Sequence, residues 1–245
     1  MTGALRIDGG ELPSTIGVRA PHIRLLAAGR PLARALLRGW YDFEIHDAEK
    51  VPATGPVVMA ANHVGWLDGP LLAICSPRPV HALTKQDMFA NGLGAFLLAY
   101  GQIPLDRFHV DVSAIRIAVK ALRDGGAVRV FPEGTRGAGD MTSPRAGAAY
   151  LALVTGAPVV PVSFLGTRMP GGSDGSVPPR GSRIAMTFGD PVRLDRRPWP
   201  RTKQEVSRSA RFVTDGILTT MHTAEEATGM TLPGPLGPKR EKKRA

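Results

Sequence analysis

The chain of 245 residues, with a hydrophobic fraction of 43% and one cysteine, suits a single α/β domain, and its lone thiol excludes an internal disulfide framework and CxxC metal or redox sites. Its 31 Lys and Arg against 21 Asp and Glu give a formal charge of +10, which favours anionic partners such as nucleic acid, anionic lipid or phosphorylated substrates. The N-terminus lacks the pattern of a signal peptide, and no window reaches the roughly 18 apolar residues of a membrane span, so we expect a cytoplasmic, soluble or peripheral protein.

Residues 1–20 are predicted to be loosely ordered, and an amphipathic helical pattern follows over 21–40. Pro31 can divide this pattern into a pair of shorter helices. Arginines lie on one side of the predicted helix and large apolar residues on another: Arg30, Arg34 and Arg38 against Leu25, Leu32, Leu36 and Trp40. Two interpretations stay open, a helix packed on the core and a helix at the interface of an anionic membrane.

The segments that follow alternate between strand and helix patterns. Strands are predicted over 41–45, 56–61, 80–84, 127–131, 158–165 and 183–189, and helices over 71–75, 92–101, 111–123 and 145–155. A capping box, Thr202 to Glu205, begins a last helix with an apolar stripe. This alternation predicts the fold class α/β: a single three-layer domain over 21–225 with a mostly parallel central sheet flanked by helices. Residues 169–182 are predicted to form a long loop, and 226–245 a disordered basic tail.

The stretch ANHVGWLDGP places His63 and Asp68 five positions apart, after a predicted strand and before a predicted helix. On one continuous helix these side chains would point about 140° apart. They can meet only if His63 lies in the turn and Asp68 in the first helical turn, and Gly65 supplies the flexibility for that turn. The pair then matches a general base and the carboxylate that orients it. A structural histidine beside a helix-capping aspartate is the alternative.

Three further segments carry polar groups at the ends of predicted strands. GQIPLDR ends in Arg107, and FPEGTR offers Glu133, Gly134, Thr135 and Arg136 directly after a strand. A glycine-containing turn with backbone N–H groups beside arginines suits an oxyanion or a phosphate. VVPV follows at 159–162.

Taken in order, NHxxxxD, GxIPLxR, FPEGTR and VPV resemble the glycerolipid acyltransferase family, the 1-acylglycerol-3-phosphate acyltransferases and their relatives, from about Val51 to Gly189. The resemblance implies that His63 removes the proton of an acceptor hydroxyl while Asp68 fixes the imidazole tautomer. The hydroxyl then attacks an acyl thioester, carried by coenzyme A or acyl carrier protein, and no cofactor or metal is required.

The resemblance also implies a substrate-binding set around this pair. Arg107, Glu133, Gly134, Thr135 and Arg136 would bind the phosphate of the acceptor, with Glu133 orienting an arginine or accepting a glycerol hydroxyl. Asn62 belongs to the first motif, Pro161 would shape the acyl side, and Lys85 would neutralise an oxyanion or phosphate unless it is a solvated surface lysine. Two departures from the family pattern, Pro104 and Gly137, look tolerable.

The expected partners are a lysophospholipid acceptor, an acyl thioester donor and the anionic surface on the cytoplasmic face of a membrane. Membrane attachment would rest on the helix at 21–40 and on the basic tail, where each Lys or Arg contributes ~1 kcal/mol; a merely solubilising tail is the alternative. A lyso-glycolipid or glycosylated phosphoinositide is the alternative acceptor. A nucleic-acid-binding protein is the remote alternative, because aromatics are only 6% and none forms a recognisable binding motif with the basic residues.

Overall fold

The computed structural model describes residues 12–90, 92–106 and 108–238, which form six α-helices and a seven-stranded sheet. The strands are β1 (Asp42–His46), β2 (Val57–Ala61), β3 (His81–Lys85), β4 (Gln102–Leu105), β5 (Ala127–Val130), β6 (Val159–Leu165) and β7 (Arg183–Phe188). The helices are α1 (Arg24–Trp40), α2 (Asp68–Cys75), α3 (Leu93–Ala99), α4 (Val112–Arg123), α5 (Gly147–Thr155) and α6 (Lys203–Thr228).

The sheet has the strand order β1-β7-β6-β2-β5-β3-β4 and is mostly parallel. The pairs β2–β5, β2–β6, β3–β4, β3–β5 and β1–β7 are parallel, and β6–β7 is antiparallel. Central parallel strands are covered on both faces, which is why β2 is an uninterrupted apolar run with every residue buried. The predicted α/β domain with a mostly parallel sheet is therefore confirmed.

Alternate residues of the sheet enter two helix-covered layers. From β2, Val58 and Ala60 pack with α4, α5 and α6, whereas Val57, Met59 and Ala61 pack with α2. The two layers hold the carboxyl ends of β2, β3, β5 and β6 at one edge of the sheet, since these strands run in the same direction. We call this the catalytic edge.

The helix α1 packs through its arginines. It is one continuous helix that includes Pro31, not a helix pair. Arg30 Nε donates to the Ile74 carbonyl at 3.0 Å, and Arg34 donates to the Ile74 and Ser76 carbonyls at 2.8 and 2.6 Å. These carbonyls lie at the C-terminal end of α2, where the helix dipole favours positive charge. The apolar side faces outward, with more than half of each side chain exposed at Leu25, Leu32, Leu36 and Trp40.

The described part of the C-terminal region is folded, so the prediction of a disordered tail is wrong for residues 226–238. Residues 226–228 complete α6. Beyond them, the Gly234 carbonyl accepts a hydrogen bond at 2.5 Å from Arg168, and Gly237 N–H donates to the Gly172 carbonyl at 3.0 Å. The Pro and Gly content predicted disorder, but these contacts come from residues distant in sequence. Residues 239–245 lie outside the described residues.

At the other end, the loosely ordered segment predicted for 1–20 is described from residue 12 onward. It has no helix or strand over 12–20, but Arg116 Nε donates to the Ser14 carbonyl at 2.7 Å and Arg201 to the Leu12 carbonyl at 2.9 Å. Residues 1–11 lie outside the described part. Among the described helices, none combines the length and apolar character needed to cross a membrane.

Candidate active site

The loops after β2 and β5 meet at the catalytic edge and bring the first and third motifs together. The Gly137 N–H donates to the carbonyl of His63 at 2.9 Å, and the main-chain N–H of His63 donates to Glu133 Oε1 at 2.8 Å. Crevices at the carboxyl ends of parallel strands are the usual ligand sites of such sheets. The first and third motifs therefore lie side by side at this edge of the sheet.

His63 and Asp68 form the predicted pair. His63 Nδ1 and Asp68 Oδ2 are 2.8 Å apart; the His63 side chain is 18% exposed and that of Asp68 is fully buried. Asp68 is the first residue of α2, and His63 lies in the preceding turn. A proton on Nδ1 is thereby directed to the carboxylate, which leaves Nε2 as the basic nitrogen. Among the described residues, Nε2 has no hydrogen-bond partner.

The carboxylate of Asp68 also fixes the turn. Its Oδ2 accepts hydrogen bonds from the main-chain N–H groups of Val64 at 2.8 Å and Gly65 at 2.9 Å. Gly65 is required for close packing: a Cβ there would lie 2.4 Å from the Thr167 carbonyl oxygen. The turn therefore rests directly on the chain that follows β6, and its shape is set on both sides.

Phe131 and Arg129 extend the site beneath the imidazole, and neither was singled out from the sequence. The rings of His63 and Phe131 are stacked, with centroids 4.0 Å apart and planes 13° apart. The Arg129 guanidinium lies 5.6 Å from the centroid of Phe131 and donates to the Gly69 carbonyl at the start of α2. The sequence did give one sign of Arg129, since a charged residue interrupts the apolar strand AVRVF. Charged residues are rarely buried unless they have a partner.

Burial lowers the pKa of Arg129 to about 10, while the charge of Asp68 acts in the opposite direction. Arg129 therefore stays protonated at neutral pH. A cation is thus held 5.6 Å from the Phe131 ring that stacks on His63, with its N–H groups bound to the Gly69 carbonyl and to Gln102 Oε1.

Glu133 contacts the main chain of His63 rather than an arginine. Its Oε1 accepts the His63 N–H, as described above, and burial raises the pKa of this carboxyl from its usual 4.5 to about 7, with Asp140 and Asp68 adding to the rise. The prediction that Glu133 orients an arginine finds no matching contact among the described residues. Its observed contact holds the backbone of the histidine.

The remainder of the FPEGTR turn faces the rim of the site. Gly134 adopts a positive φ of 69°, a conformation that glycine tolerates best. Thr135 is exposed, and Arg136 donates to the Asp174 carbonyl at 2.7 Å. Arg145, which was not singled out from the sequence, packs over Gly134, so that a Cβ at residue 134 would lie 3.0 Å from its Nε. Two arginines therefore flank this turn.

Lys85 and Arg107 were also predicted to bind substrate. Lys85 ends β3 at the catalytic edge and forms an ion pair with Asp87, and its ammonium lies 6.0 Å from the Phe108 ring centroid. Its predicted contact with substrate stays a prediction. Arg107 lies outside the described residues, so its phosphate role also stays a prediction.

Asn62 and Pro161 are buried within the fold, and their predicted roles toward substrate stay predictions. Asn62 is fully buried, and its amide donates to the Phe164 carbonyl at 3.0 Å and accepts from the Phe164 N–H at 2.7 Å. Its side chain thus continues the pairing of β2 with β6. Pro161 lies within β6 and is buried against Gly216 of α6, where a Cβ would lie 3.1 Å from Pro161 Cγ. Both residues stabilise the fold.

A family model and several known proteins that are similar to this chain are all acyltransferases. A family model described as Acyltransferase matches residues 42–165. The chain is 30% identical over 151 residues to the 1-acyl-sn-glycerol-3-phosphate acyltransferase of Bacillus subtilis (strain 168), covering 61% of this chain and 73% of that protein. It is 31% identical over 156 residues to the chloroplastic 1-acyl-sn-glycerol-3-phosphate acyltransferase BAT2 of Brassica napus, covering 62% of this chain and 43% of that protein.

Among solved structures, the crystal structure of the 1-acyl-sn-glycerophosphate (LPA) acyltransferase PlsC from Thermotoga maritima superposes with a TM-score of 0.60. The superposition covers 84% of this chain and 79% of that chain at 23% sequence identity. At this identity the likeness concerns the fold.

The raised pKa of Glu133 predicts a pH dependence of stability. Because its folded-state pKa of about 7 exceeds the usual 4.5, the folded protein retains a proton that the unfolded chain has lost, and the resulting stabilisation declines as pH rises through this window. Glu133→Gln cannot ionise and still accepts the His63 N–H. We expect the variant's free energy of unfolding, relative to the parent, to increase between about pH 4.5 and 7.

Urea unfolding followed at several pH values measures this difference. Glu205→Gln is the control, because hydrogen bonds from Thr202 lower the pKa of Glu205, so its carboxylate contributes stability that is lost as pH falls. The two variants should therefore show opposite trends with pH. A flat difference for Glu133→Gln would contradict the prediction.

Proposed function

The chain belongs to the acyltransferase family, and from this premise we propose that it transfers a fatty acyl group from an acyl thioester to the free hydroxyl of 1-acylglycerol-3-phosphate, giving phosphatidate. The observation that carries the proposal is the contact of His63 Nδ1 with the buried carboxylate of Asp68, beside a turn flanked by two arginines. This arrangement supports a general base next to a site for an anionic acceptor.

The reaction follows from the free basic nitrogen. His63 Nε2 takes the proton of the acceptor hydroxyl as its oxygen attacks the thioester carbonyl. The tetrahedral intermediate collapses with release of the thiolate, which takes the proton back from the imidazolium. Asp68 stabilises the imidazolium while it exists, and no acyl-enzyme forms. General-base catalysis of this type contributes ~10²–10⁴ in rate.

The acceptor phosphate is assigned to the arginines near the FPEGTR turn. A phosphate monoester is bound well by guanidinium groups, whose paired N–H donors match two of its oxygens. Arg136 uses one nitrogen on the Asp174 carbonyl, and its other nitrogen atoms bind no described residue. The thioester carrier, coenzyme A or acyl carrier protein, is the variable that a donor screen would resolve.

Access to lipid substrates is assigned to the outward face of α1. Leucines and a tryptophan are exposed there, while the arginines of the same helix bind α2. The helix α3 adjoins α1, since Gly29 lies near the Tyr100 hydroxyl, and α3 exposes Leu93, Phe96 and Leu98. Two adjacent helices with exposed apolar side chains support peripheral attachment to a membrane, with the positive charge of the chain drawing it to anionic lipid.

Replacement of the base tests the mechanism. We expect His63→Ala to lower kcat by at least ~10²–10⁴ and Asp68→Asn to lower it strongly as well, because the amide stabilises the wrong tautomer. Acyl transfer is measured with lysophosphatidate and both thioester donors, and circular dichroism checks the fold. His109→Ala is a matched control, because His109 Nδ1 and Asp106 Oδ2 are also 2.8 Å apart, but that His109 side chain is 83% exposed. Equal activity of the His63 and His109 variants would contradict the proposal.

Replacement of Arg136 tests the acceptor. We expect Arg136→Gln to raise the KM for lysophosphatidate by about 10- to 100-fold, as for loss of a charged hydrogen bond, and to leave transfer to an acceptor without phosphate nearly unchanged. Arg116→Gln is the control, since Arg116 binds the carbonyls of Ser14 and Ile16. A KM for lysophosphatidate equal to that of the control would remove the phosphate role, and activity only with a lyso-glycolipid would favour the alternative acceptor.

Polar replacement on α1 tests membrane attachment. We expect the double variant Leu32→Glu and Leu36→Glu to lower binding to vesicles of anionic phospholipid by about tenfold or more, because burial of each leucine contributes ~1.5–3 kcal/mol. Co-sedimentation measures binding, and transfer to a short-chain, water-soluble acceptor should persist. Phe212→Glu changes a half-exposed residue of α6 and is the control. Vesicle binding equal to that of the control would contradict the assignment.

A further inference from the structure

Arg168 is the most completely buried arginine of the described residues and makes five hydrogen bonds to described main-chain carbonyls. Its Nε donates to Val64 at 2.8 Å, Nη2 to Gly137 at 3.0 Å and to Gly234 at 2.5 Å, and Nη1 to Gly172 at 3.0 Å and Pro235 at 3.2 Å. A guanidinium has five N–H donors, so this side chain is fully used.

The carbonyls that Arg168 binds belong to segments that meet at the catalytic edge. Val64 follows His63, and Gly137 follows Arg136 and also donates its N–H to the carbonyl of His63. The contacts to Val64 and Gly137 therefore join the two catalytic loops through one side chain. Because the Arg168 side chain is 1% exposed, these contacts are shielded from competing water.

The remaining carbonyls come from the loop after β6 and from residues 229–238, which we call the C-terminal strap. Gly234 and Pro235 of the strap accept from Arg168, and the Leu232 side chain lies by Gly139, where a Cβ would be 3.4 Å from its Cδ2. In a segment without helix or strand, the main-chain carbonyls are not bound within regular secondary structure. Such a segment can therefore offer several acceptors to one guanidinium.

Arg168 is also close enough to the catalytic pair to interact with it electrostatically. Burial lowers the pKa of Arg168, and the charge of Asp68 raises it. Arg168 forms no ion pair with a described carboxylate, so its charge is balanced by carbonyl dipoles and by this longer-range attraction. A buried charge of this kind is strongly unfavourable unless its hydrogen bonds are complete.

We propose that Arg168, held by the C-terminal strap, is a positioning residue for His63: it sets the relative placement of the His63 turn and the FPEGTR turn. This inference rests on the proposed acyl transfer and adds a contribution from outside the motifs of the site. Misplacement of a catalytic group by about 1 Å can cost ~10²-fold in rate, so such a residue acts mainly on kcat.

Arg168→Lys and Arg168→Met test the proposal in the full chain. Lysine keeps the charge but has three donors from one point and cannot reproduce the fork. We expect both variants to lower kcat by about 10- to 100-fold with KM changed less than about threefold. Both variants should also shift or broaden the Nδ1 proton resonance of His63 in the NMR spectrum.

Arg78→Lys is the matched control. Arg78 also donates to three main-chain carbonyls, those of Pro52, Gly55 and Gly125, but these precede β2 and β5 at the opposite edge of the sheet. This variant should lose stability yet retain the kcat of the folded parent. If the Arg168 variants match Arg78→Lys in kcat and in the Nδ1 proton resonance of His63, Arg168 is only a structural residue and the proposal is overturned.

Gly237→Ala tests the strap while leaving the guanidinium in place. A Cβ at residue 237 would lie 1.8 Å from the Gly171 carbonyl oxygen, so the strap must shift away from that loop. We expect a fall in kcat and a shift or broadening of the Nδ1 proton resonance of His63 in the NMR spectrum. A parental kcat and an unchanged resonance would overturn the role of the strap.

The resonance needs no substrate and therefore separates two kinds of failure. If the parent protein transfers no acyl group, the proposed function fails, whereas a resonance that is altered in Arg168→Lys and unaltered in Arg78→Lys still supports the positioning of His63. If the parent is active and His63→Ala is inactive, an unaltered resonance and parental kcat in Arg168→Lys count against Arg168 alone.

Discussion

The Oδ2 atom of Asp68 accepts hydrogen bonds from the His63 imidazole and from the N–H groups of Val64 and Gly65. A single buried oxygen thus fixes the orientation of the imidazole and the path of the chain around it. The surrounding contacts act on the same short turn: Glu133 accepts the His63 N–H, Gly137 donates to its carbonyl and Thr167 packs against Gly65. The turn is therefore defined by its neighbours as much as by its own sequence. Asp68 does not cap α2, whose N-cap residue is Leu67 without a side-chain hydrogen bond; its carboxylate binds the turn that precedes the helix.

Several arginines bind main-chain carbonyls within the protein. Arg30 and Arg34 bind carbonyls at the end of α2, Arg78 binds loops at the opposite edge from the catalytic one, and Arg168 binds the catalytic loops. The formal charge of +10 therefore overstates the cationic surface that a polyanion would meet. In this fold the guanidinium group replaces secondary structure as the partner of loop carbonyls, since one side chain can satisfy several acceptors that face inward.

The sequence predicted the features that depend on local patterns. Apolar runs located the strands, helical spacing located the helices, and the His63 to Asp68 spacing required the strand-to-helix turn that the structure contains. The features that the sequence did not show are contacts across long sequence distances. Asn62 and Phe164 are 102 residues apart, and no local pattern shows that the amide pairs with that strand. The orientation of α1 was equally hidden, because an amphipathic pattern separates two faces without stating which one meets the protein.

Arg129, Phe131 and Arg168 were missed for a related reason. A stacked ring beneath the imidazole and a buried guanidinium depend on how β5 and the chain after β6 approach the turn after β2. Only Arg129 gave a local signal, as a charge within an apolar strand. The phosphate role of Arg107 stays a prediction, since that residue lies outside the described part of the chain.

The separation between Arg168 and its partners in the strap has a consequence for synthesis on the ribosome. Gly234 and Pro235 follow Arg168 by 66 and 67 residues, so at ~5–20 residues per second they are added roughly 3 to 13 seconds later. The strands that surround His63 are already translated by then, since β6 ends before Arg168. The nascent chain can therefore assemble its sheet around an incompletely bound guanidinium. In the proposed role of Arg168, its full contribution to placing the His63 turn begins only once the strap has emerged.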